Sequence, residues 1–364
     1  MDTLLLTGFP GFLGSALLPR LLARRPGSAA VCLVQAAHLA TARQRVAELE
    51  QEHPHVAERI ELVTGDITAP DLGLGADDRA ALDPATEVWH LAAVYDLAVP
   101  AAIARRVNVD GTAHVLELCR ALPALTRLQY VSTCYDSGRY AGEFGEDVLA
   151  EGQPFRNHYE STKYDAEQLV RDAMAEGLSA TIYRPGIVVG DSGTGETLKF
   201  DGPYFIAGFL ARQPGPVAVV PRVGDPDSVR VCLVPRDFVV DAMDALSVLE
   251  VSVGRTYALT DPRPPTAREV VDTFSARLGK HVVWVPLPLG PTHLLIDRVP
   301  GIERLIGLPA EAVDYFASPT TYATTNTTTD LAGTGVQCPS FGEYADRLVD
   351  FMRGHAEIGS KAMV

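Results

Sequence analysis

The segment TLLLTGFPGFLG, residues 3 to 14, passes from a short apolar run through three glycines spaced three apart into an amphipathic stretch. A strand, a tight turn and a helix in immediate succession leave few folds open. Gly8, Gly11 and Gly14 allow the sharp turn, a close approach of backbone to a pyrophosphate, and close packing of helix on sheet, while the helix N-terminus offers amides to anionic oxygens. The same spacing also serves a plain strand-to-helix turn, and the flanking pattern decides between the two. Short apolar runs predict further strands at Ala30 to Val34, Ile60 to Thr64, Val88 to Leu91, Leu128 to Ser132 and Ala180 to Tyr183. Helical stretches alternate with them, at Phe12 to Leu22, Ala42 to Glu50 and Ala101 to Leu122. Such alternation gives a parallel sheet covered on both faces. The predicted fold is therefore α/β, a Rossmann-type doubly wound parallel sheet.

Beyond Gly190 the pattern loosens. DSGTGETLKFDGPYF and RQPGPVAVVPRVGDPDS are rich in Gly, Pro and Asp, as loops and small elements near a pocket are. VRVCLV, residues 229 to 234, and the following PRDFVVDAMDALSVL read as a strand and a helix. Helices dominate from Thr266, a loop rich in Ser, Thr and Asn runs from Ser318 to Thr329, and a last helix covers Phe341 to Arg353. The predicted organisation is a nucleotide-binding domain over 1–190, with 228–260 returning to it. A smaller, mainly helical substrate-binding lobe takes 191–227 and 261–330, and a C-terminal helical segment takes 331–364. A chain of 364 residues is long enough for two such lobes.

Composition narrows the partners. A net charge of -15 without a basic cluster opposes nucleic-acid binding, so a small molecule is expected. No apolar run reaches ~18 residues, which excludes an integral membrane segment of helical type. The apolar opening carries Asp2 and lacks a basic flank, so it reads as folded structure rather than a leader. Five cysteines without a C-x-x-C pair fit reduced thiols and a cytoplasmic location. Nine histidines include HPH at 53–55 but no H-E-x-x-H or Cys/His cluster, so no metal is expected.

The chemistry concentrates in HYESTKYDAEQLV, residues 158 to 170. Tyr159 and Lys163 stand four apart at the start of a helix and so share a face. A phenol has a reference pKa of ~10, and a neighbouring ammonium favours the phenolate. The expected role is proton transfer at a carbonyl or alcohol oxygen while hydride moves at carbon, with Lys163 as the tuning charge and a holder of ribose hydroxyls. His158 points elsewhere around the helix and reads as a surface residue. The strand ending in QYVSTCYDSG places Ser132 and Thr133 at a strand C-terminus, where open α/β sheets bind ligands, and either hydroxyl could take the carbonyl oxygen. At the end of the second strand stands Gln35 rather than a carboxylate that would repel NADP. No arginine stands there either, and His38, Arg43 or Arg45 are the nearby bases, so NADP is favoured and NAD possible. Asp66 either accepts from an adenine amino group or stabilises a turn. Trp284 and the stretch Leu287 to Leu295 line either an acyl site or the core.

Taken together, TGFPGFLG, HLAA at 90–93, VNVDGT at 107–112, VST at 131–133, YESTK at 159–163 and YRPGIVVG at 183–190 resemble the extended short-chain dehydrogenase/reductases over most of the chain. The YRPGIVVGDS run, FDGPYF at 200–205 and LVPRDFVVDAM at 233–243 are most similar to the branch of fatty acyl-CoA reductases and thioester reductases, the latter including reductase domains of carboxylic acid reductases. That resemblance implies a catalytic set of Thr133, Tyr159 and Lys163 with Asn108 positioning it. It also implies a cofactor held by Thr7, Gly8, Pro10, Gly11, Phe12, Leu13, Gly14, Gln35, Asp66, Ile67, Leu91, Ala92, Ala93, Tyr159, Lys163, Pro185, Gly186 and Ile187. The branch usually carries arginine where Gln35 stands, and in carboxylic acid reductases it is fused to adenylation and carrier domains that this sequence lacks. The implied reaction is reduction of an acyl thioester, through a thiohemiacetal, to an aldehyde, or reduction of an aldehyde to an alcohol. Alternatives on the same fold are a simple carbonyl or alcohol substrate, a sugar nucleotide undergoing epimerisation or dehydration, or a cofactor-sensing protein without catalysis. Monomer and homodimer both stay open.

Overall fold

A computed structural model describes residues 2–96, 98–222, 225–286 and 318–359. The strands are β1 Thr3–Thr7, β2 Ala29–Val34, β3 Ile60–Thr64, β4 Ala85–His90, β5 Arg127–Val131, β6 Gly142–Phe144, β7 Ala180–Pro185, β8 Ile187–Val189, β9 Val217–Arg222, β10 Leu233–Pro235, β11 Thr256–Leu259, β12 His281–Pro286 and β13 Thr320–Tyr322. The helices are α1 Phe12–Arg24, α2 Leu39–Glu52, α3 Ala76–Ala81, α4 Ala101–Ala104, α5 Gly111–Ala121, α6 His158–Ala175, α7 Pro203–Arg212, α8 Arg236–Ser247 and α9 Ala267–Arg277, then α10 Thr325–Asp330 and α11 Phe341–Gly354.

Seven strands form one parallel sheet in the order β11-β7-β5-β4-β1-β2-β3. Sequence periodicity explains the middle of it: Leu4, Leu5 and Leu6 in β1 are almost wholly buried, as a strand covered on both faces requires. One face packs on α1, α2 and α8 through residues such as Leu17, Leu21 and Met243, the other on α5 and α6 through Val115, Leu118 and Val170. The order reverses between β1 and β4, which opens a crevice at the strands' C-terminal ends.

A second core gathers Tyr204 and Leu210 of α7, Val270 and Phe274 of α9, and Tyr344 and Leu348 of α11. Capping boxes set where two of these helices begin, Thr266 with Glu269 for α9 and Ser340 with Glu343 for α11. Val231 and Leu233 join this second core, whereas Phe238 to Leu246 and Tyr257 pack on the sheet. The chain therefore crosses back at about Val234. The C-terminal α11 packs within the second core rather than beside it.

Three readings need correction. The stretch VRVCLV contributes only its end to a strand, β10, which pairs with β8. The loop expected over Ser318 to Thr329 contains β13, paired with β6, and the short α10. The second lobe carries a parallel ribbon of β9 and β12 beside its helices. No helix among the described residues is long and apolar enough to cross a membrane, and no group of three or more His, Cys, Asp or Glu among them could hold a metal ion.

Candidate active site

The crevice at the switch point is a cleft of about 730 Å³. Its floor is the turn between β1 and α1. Gly8 has φ +87°, and a Cβ there would lie 2.8 Å from the backbone of Leu91 and Ala92. A Cβ on Gly11 or Gly14 would lie 2.7 Å from the Gly8 carbonyl oxygen. Only glycine fits this cradle, and the first amides of α1 have no side-chain cap. A pyrophosphate fits such a turn, because its oxygens can accept those amides. Every residue expected against the cofactor, from Thr7 and Gly8 to Gly186 and Ile187, lines this one cleft.

At one end of the cleft Gln35 Nε2 donates to Asp66 Oδ1 at 3.1 Å, and the Thr68 amide donates to the same oxygen at 2.8 Å. Partial burial works against the Asp66 charge, but these bonds and the Arg106 guanidinium outweigh it and hold the carboxyl below its usual range. Of the bases near Gln35, His38 lines the cleft, while Arg45 is paired with Glu48 and Glu52 on the surface of α2. Arg106 lines the cleft as well, a cation that the sequence did not single out because it sits within a helical pattern.

Thr7 and His90 tie β1 to β4 behind the glycine turn. His90 Nδ1 lies 2.8 Å from Thr7 Oγ1, and Nε2 lies 3.0 Å from Thr112 Oγ1. Thr112 gives its own proton to the Asn108 carbonyl at 2.6 Å, so Nε2 carries the imidazole proton and Nδ1 accepts. Burial, helped by the Lys163 charge, pushes the His90 pKa down to about 3. The unfolded imidazole takes up a proton near pH ~6.5 while the folded one does not, so stability is lost as pH falls from ~6.5. Urea unfolding at pH 7, 5.5 and 4.5 should show a steeper loss for the wild type than for His90→Gln. Equal slopes would remove His90 as the cause.

Another part of the cleft, which holds Thr133, Tyr159 and Lys163, is built by β5 and α6. Asn157 caps α6 by accepting from the Glu160 amide at 3.0 Å, and this fixes Tyr159 in the first turn. The Thr133 side chain lies near the Tyr159 hydroxyl and works against the effect of its burial. Thr133 Oγ1 also accepts from the Tyr135 amide at 3.2 Å, which holds the hydroxyl at the strand end. Ser132 Oγ is buried without a hydrogen-bond partner, and Thr133 rather than Ser132 is the hydroxyl that acts on the phenol's ionisation.

Two expectations change here. Lys163 does not turn its ammonium to Tyr159. Nζ donates to the Tyr130 hydroxyl at 3.1 Å and to the Val131 carbonyl at 2.8 Å, and stands 4.7 Å from the centre of the Tyr130 ring. Burial raises the Tyr159 pKa far above a free phenol, and the nearby Thr133 side chain offsets this only in part. Burial likewise lowers Lys163 to about 8 against the opposing charges of Glu167 and Asp136. The four-residue spacing fixes where the two Cβ atoms sit; acceptors near the end of the lysine's long arm decide where its charge goes. The second change concerns Asn108, which does not line the cleft. Its Oδ1 accepts from the Val94 amide at 2.9 Å and its Nδ2 donates to Thr162 Oγ1 at 3.1 Å. It does so from a π-helical segment, Arg105–Asp110, that interrupts the helix expected over Ala101 to Leu122. Asn108 thus fastens the segment after β4 to α6, one turn from Tyr159.

Beneath this site lies a charge cluster that sequence spacing does not reveal. Arg184 Nε lies 2.9 Å from Asp136 Oδ2 and 3.0 Å from Glu167 Oε2, with all three side chains buried. His158 is exposed as expected. Trp284 lies in β12, where Arg268 stacks on it at 4.7 Å, and does not line the cleft; Leu287 to Leu295 lie outside the described residues.

A doubly wound sheet with a glycine turn at its switch point and Thr133, Tyr159 and Lys163 lining the same cleft fits an NAD(P)-dependent oxidoreductase of the extended short-chain dehydrogenase/reductase class. Residues 6–243 match the NAD-binding family described as male sterility protein, and the chain belongs to that family. It is 32% identical to a linear gramicidin synthase of Brevibacillus parabrevis over 269 residues, 71% of this chain and 5% of that one. It is 27% identical to the nonribosomal peptide synthetase asaC of Aspergillus flavus over 360 residues, 91% of this chain and 34% of that one. The chain therefore spans about a third or less of either relative. Among solved structures, the terminal R domain of the myxalamid PKS-NRPS biosynthetic pathway superposes with a TM-score of 0.80 at 27% identity, covering 100% of this chain and 93% of that one. A UDP-glucuronic acid 4-epimerase from Bacillus cereus shares the fold, with a TM-score of 0.67 at 18% identity and coverage of 99% of both chains.

Proposed function

We propose that the protein reduces an acyl thioester to an aldehyde, with Tyr159 giving the proton to the carbonyl oxygen. The observation that carries this reading is that Tyr159 and Thr133 line one cleft together with the glycine cradle. The likeness to a terminal R domain over the whole chain supports the thioester. A nicotinamide bound here supplies hydride. Gly8, Gly11 and Gly14 would hold its pyrophosphate, Asp66 and Gln35 the adenosine, and Lys163 a ribose hydroxyl. Thr133 and Tyr159 hold the substrate oxygen, so that charge developing there meets two hydroxyl donors. A reductase needs its phenol protonated before hydride arrives, and burial of Tyr159 secures that state. The product aldehyde presents the same oxygen to the same pair, so a second reduction to the alcohol uses no further residue.

NADP is the favoured cofactor, since the carboxylate that would repel a 2′-phosphate is missing at Gln35. Gln35→Arg should favour NADPH over NADH by about tenfold, from one added charge-assisted bond of ~1.5 kcal/mol. Fluorescence titration with both cofactors reads the ratio, and no change would put the ribose phosphate elsewhere. The reaction itself is tested by nicotinamide absorbance against acyl-CoAs, aldehydes and sugar nucleotides. Oxidation of NADPH in proportion to thioester is expected. Turnover of a sugar nucleotide with no net change in absorbance would point to the epimerase-like alternative.

A further inference from the structure

Thioester reduction breaks a carbon–sulfur bond, and the groups so far described serve only the oxygen and the cofactor. The loop between β8 and α7 brings Thr197, Leu198 and Lys199 to the cleft. The Lys199 ammonium lies 4.2 Å from the centre of the Tyr95 ring, and that ring meets Tyr159 edge-on with centroids 5.1 Å apart. Tyr159, Tyr95 and Lys199 therefore form a ladder that climbs from the reacting oxygen toward the open side of the cleft. Asp201, itself lining the cleft, is ion-paired with Lys199 and keeps its charge in place. Lys199 is one-quarter exposed, so water can restore its proton. The other arginine and lysine side chains lining the cleft, among the described residues, are committed elsewhere. Lys163 is bonded to Tyr130 and Val131, and Arg106 faces Asp66 at the adenosine end. A thioester with its oxygen between Thr133 and Tyr159 must direct its sulfur away from that pair, and Lys199 is the cation beyond Tyr95.

We infer that Lys199 is the acid for the departing sulfur, an assignment that rests on the thioester reading above. Hydride adds to the carbonyl carbon and Tyr159 protonates the oxygen, giving a thiohemiacetal and a Tyr159 phenolate. On collapse the hydroxyl proton returns to Tyr159 as the carbon–oxygen double bond forms. The carbon–sulfur bond breaks with its electron pair going to sulfur, and Lys199 delivers a proton there. The products are aldehyde, free thiol and a neutral Lys199 that regains its proton from solvent. Tyr159 ends the cycle already recharged, which suits a phenol whose burial hinders exchange with water.

The test compares two thioesters of one acid, an alkyl thioester whose thiolate leaves poorly and an aryl thioester whose thiolate needs no acid. Lys199→Met keeps the length of the side chain and its apolar stem. It should lower kcat/KM for the alkyl thioester by ~100-fold, within the range of general acid contributions, and for the aryl thioester by no more than about 5-fold. A loss equal for both esters, or none for either, overturns the assignment of Lys199 while leaving thioester reduction standing. A wild type that reduces neither ester overturns the thioester reading, and this inference with it.

Discussion

Replacing Tyr159 with Phe is expected to reduce turnover by ~100-fold or more while cofactor affinity stays near normal. In the proposed reaction the phenol acts at the reacting oxygen from the same cleft as Thr133, whereas the pyrophosphate would meet the backbone of the β1 to α1 turn. Loss of one hydroxyl from a ring that remains packed edge-on against Tyr95 leaves the fold intact. Stopped-flow oxidation of NADPH gives the rate, and fluorescence titration gives the affinity. Because burial rather than an ammonium sets the Tyr159 pKa, Lys163→Met should behave differently and weaken cofactor binding more than Tyr159→Phe does. A turnover unchanged in Tyr159→Phe would take the phenol out of the chemistry.

The largest stability loss is expected from Arg184→Met. Arg184 is fully buried in β7 and joins Asp136, just past β5, to Glu167 on α6. Arg171, at 2.9 Å from Glu167, is the remaining close cation. Removing the guanidinium leaves a buried carboxylate pair, and breaking such pairs costs about 3 to 5 kcal/mol. The two carboxylates are unequal. Burial pushes Asp136 up, against the pull of Arg184 and with the neighbouring Glu167, whereas Glu167 is held down because the arginines outweigh its burial. Asp136→Asn should accordingly cost ~1 kcal/mol or less, and Glu167→Gln several times more. The deficit of Arg184→Met should shrink at pH 5, where the stranded Glu167 can protonate. Urea unfolding at pH 7 and 5 measures all three variants. An Arg184→Met loss below ~1 kcal/mol would show that the cluster does not hold β5, β7 and α6 together.

The features legible in the sequence were those whose cause is local. Strand periodicity placed β1 and β3 to the residue, because a strand covered on both faces is apolar throughout, and glycine spacing marked the cradle because no side chain fits there. Thr133, Tyr159 and Lys163, which the structure brings to one cleft, could be read as a set because each sits near the end of an element that could be placed. What escaped depends on contacts between distant segments or on the ends of long side chains. Lys163 chooses Tyr130 and Val131, both on β5, so its helical spacing from Tyr159 says nothing about where its charge lies. Asp136, Glu167 and Arg184 come from three elements, and only the register of β7 beside β5 unites them. Lys199 lies in a Gly-rich loop whose path has no periodicity, and Asn108 sits in a π-helical segment that reads as ordinary helix.

The most direct measurement follows the hydride. NADPH carrying deuterium at the transferable position of nicotinamide C4 is incubated with the protein and an acyl-CoA thioester, and the product is analysed by mass spectrometry. Aldehyde with one deuterium at C1, formed together with an equal amount of free thiol and slowed ~100-fold or more in Tyr159→Phe, is the expected result. Thioester left intact with its label still on the cofactor, while a sugar nucleotide is converted in the same cleft, contradicts it.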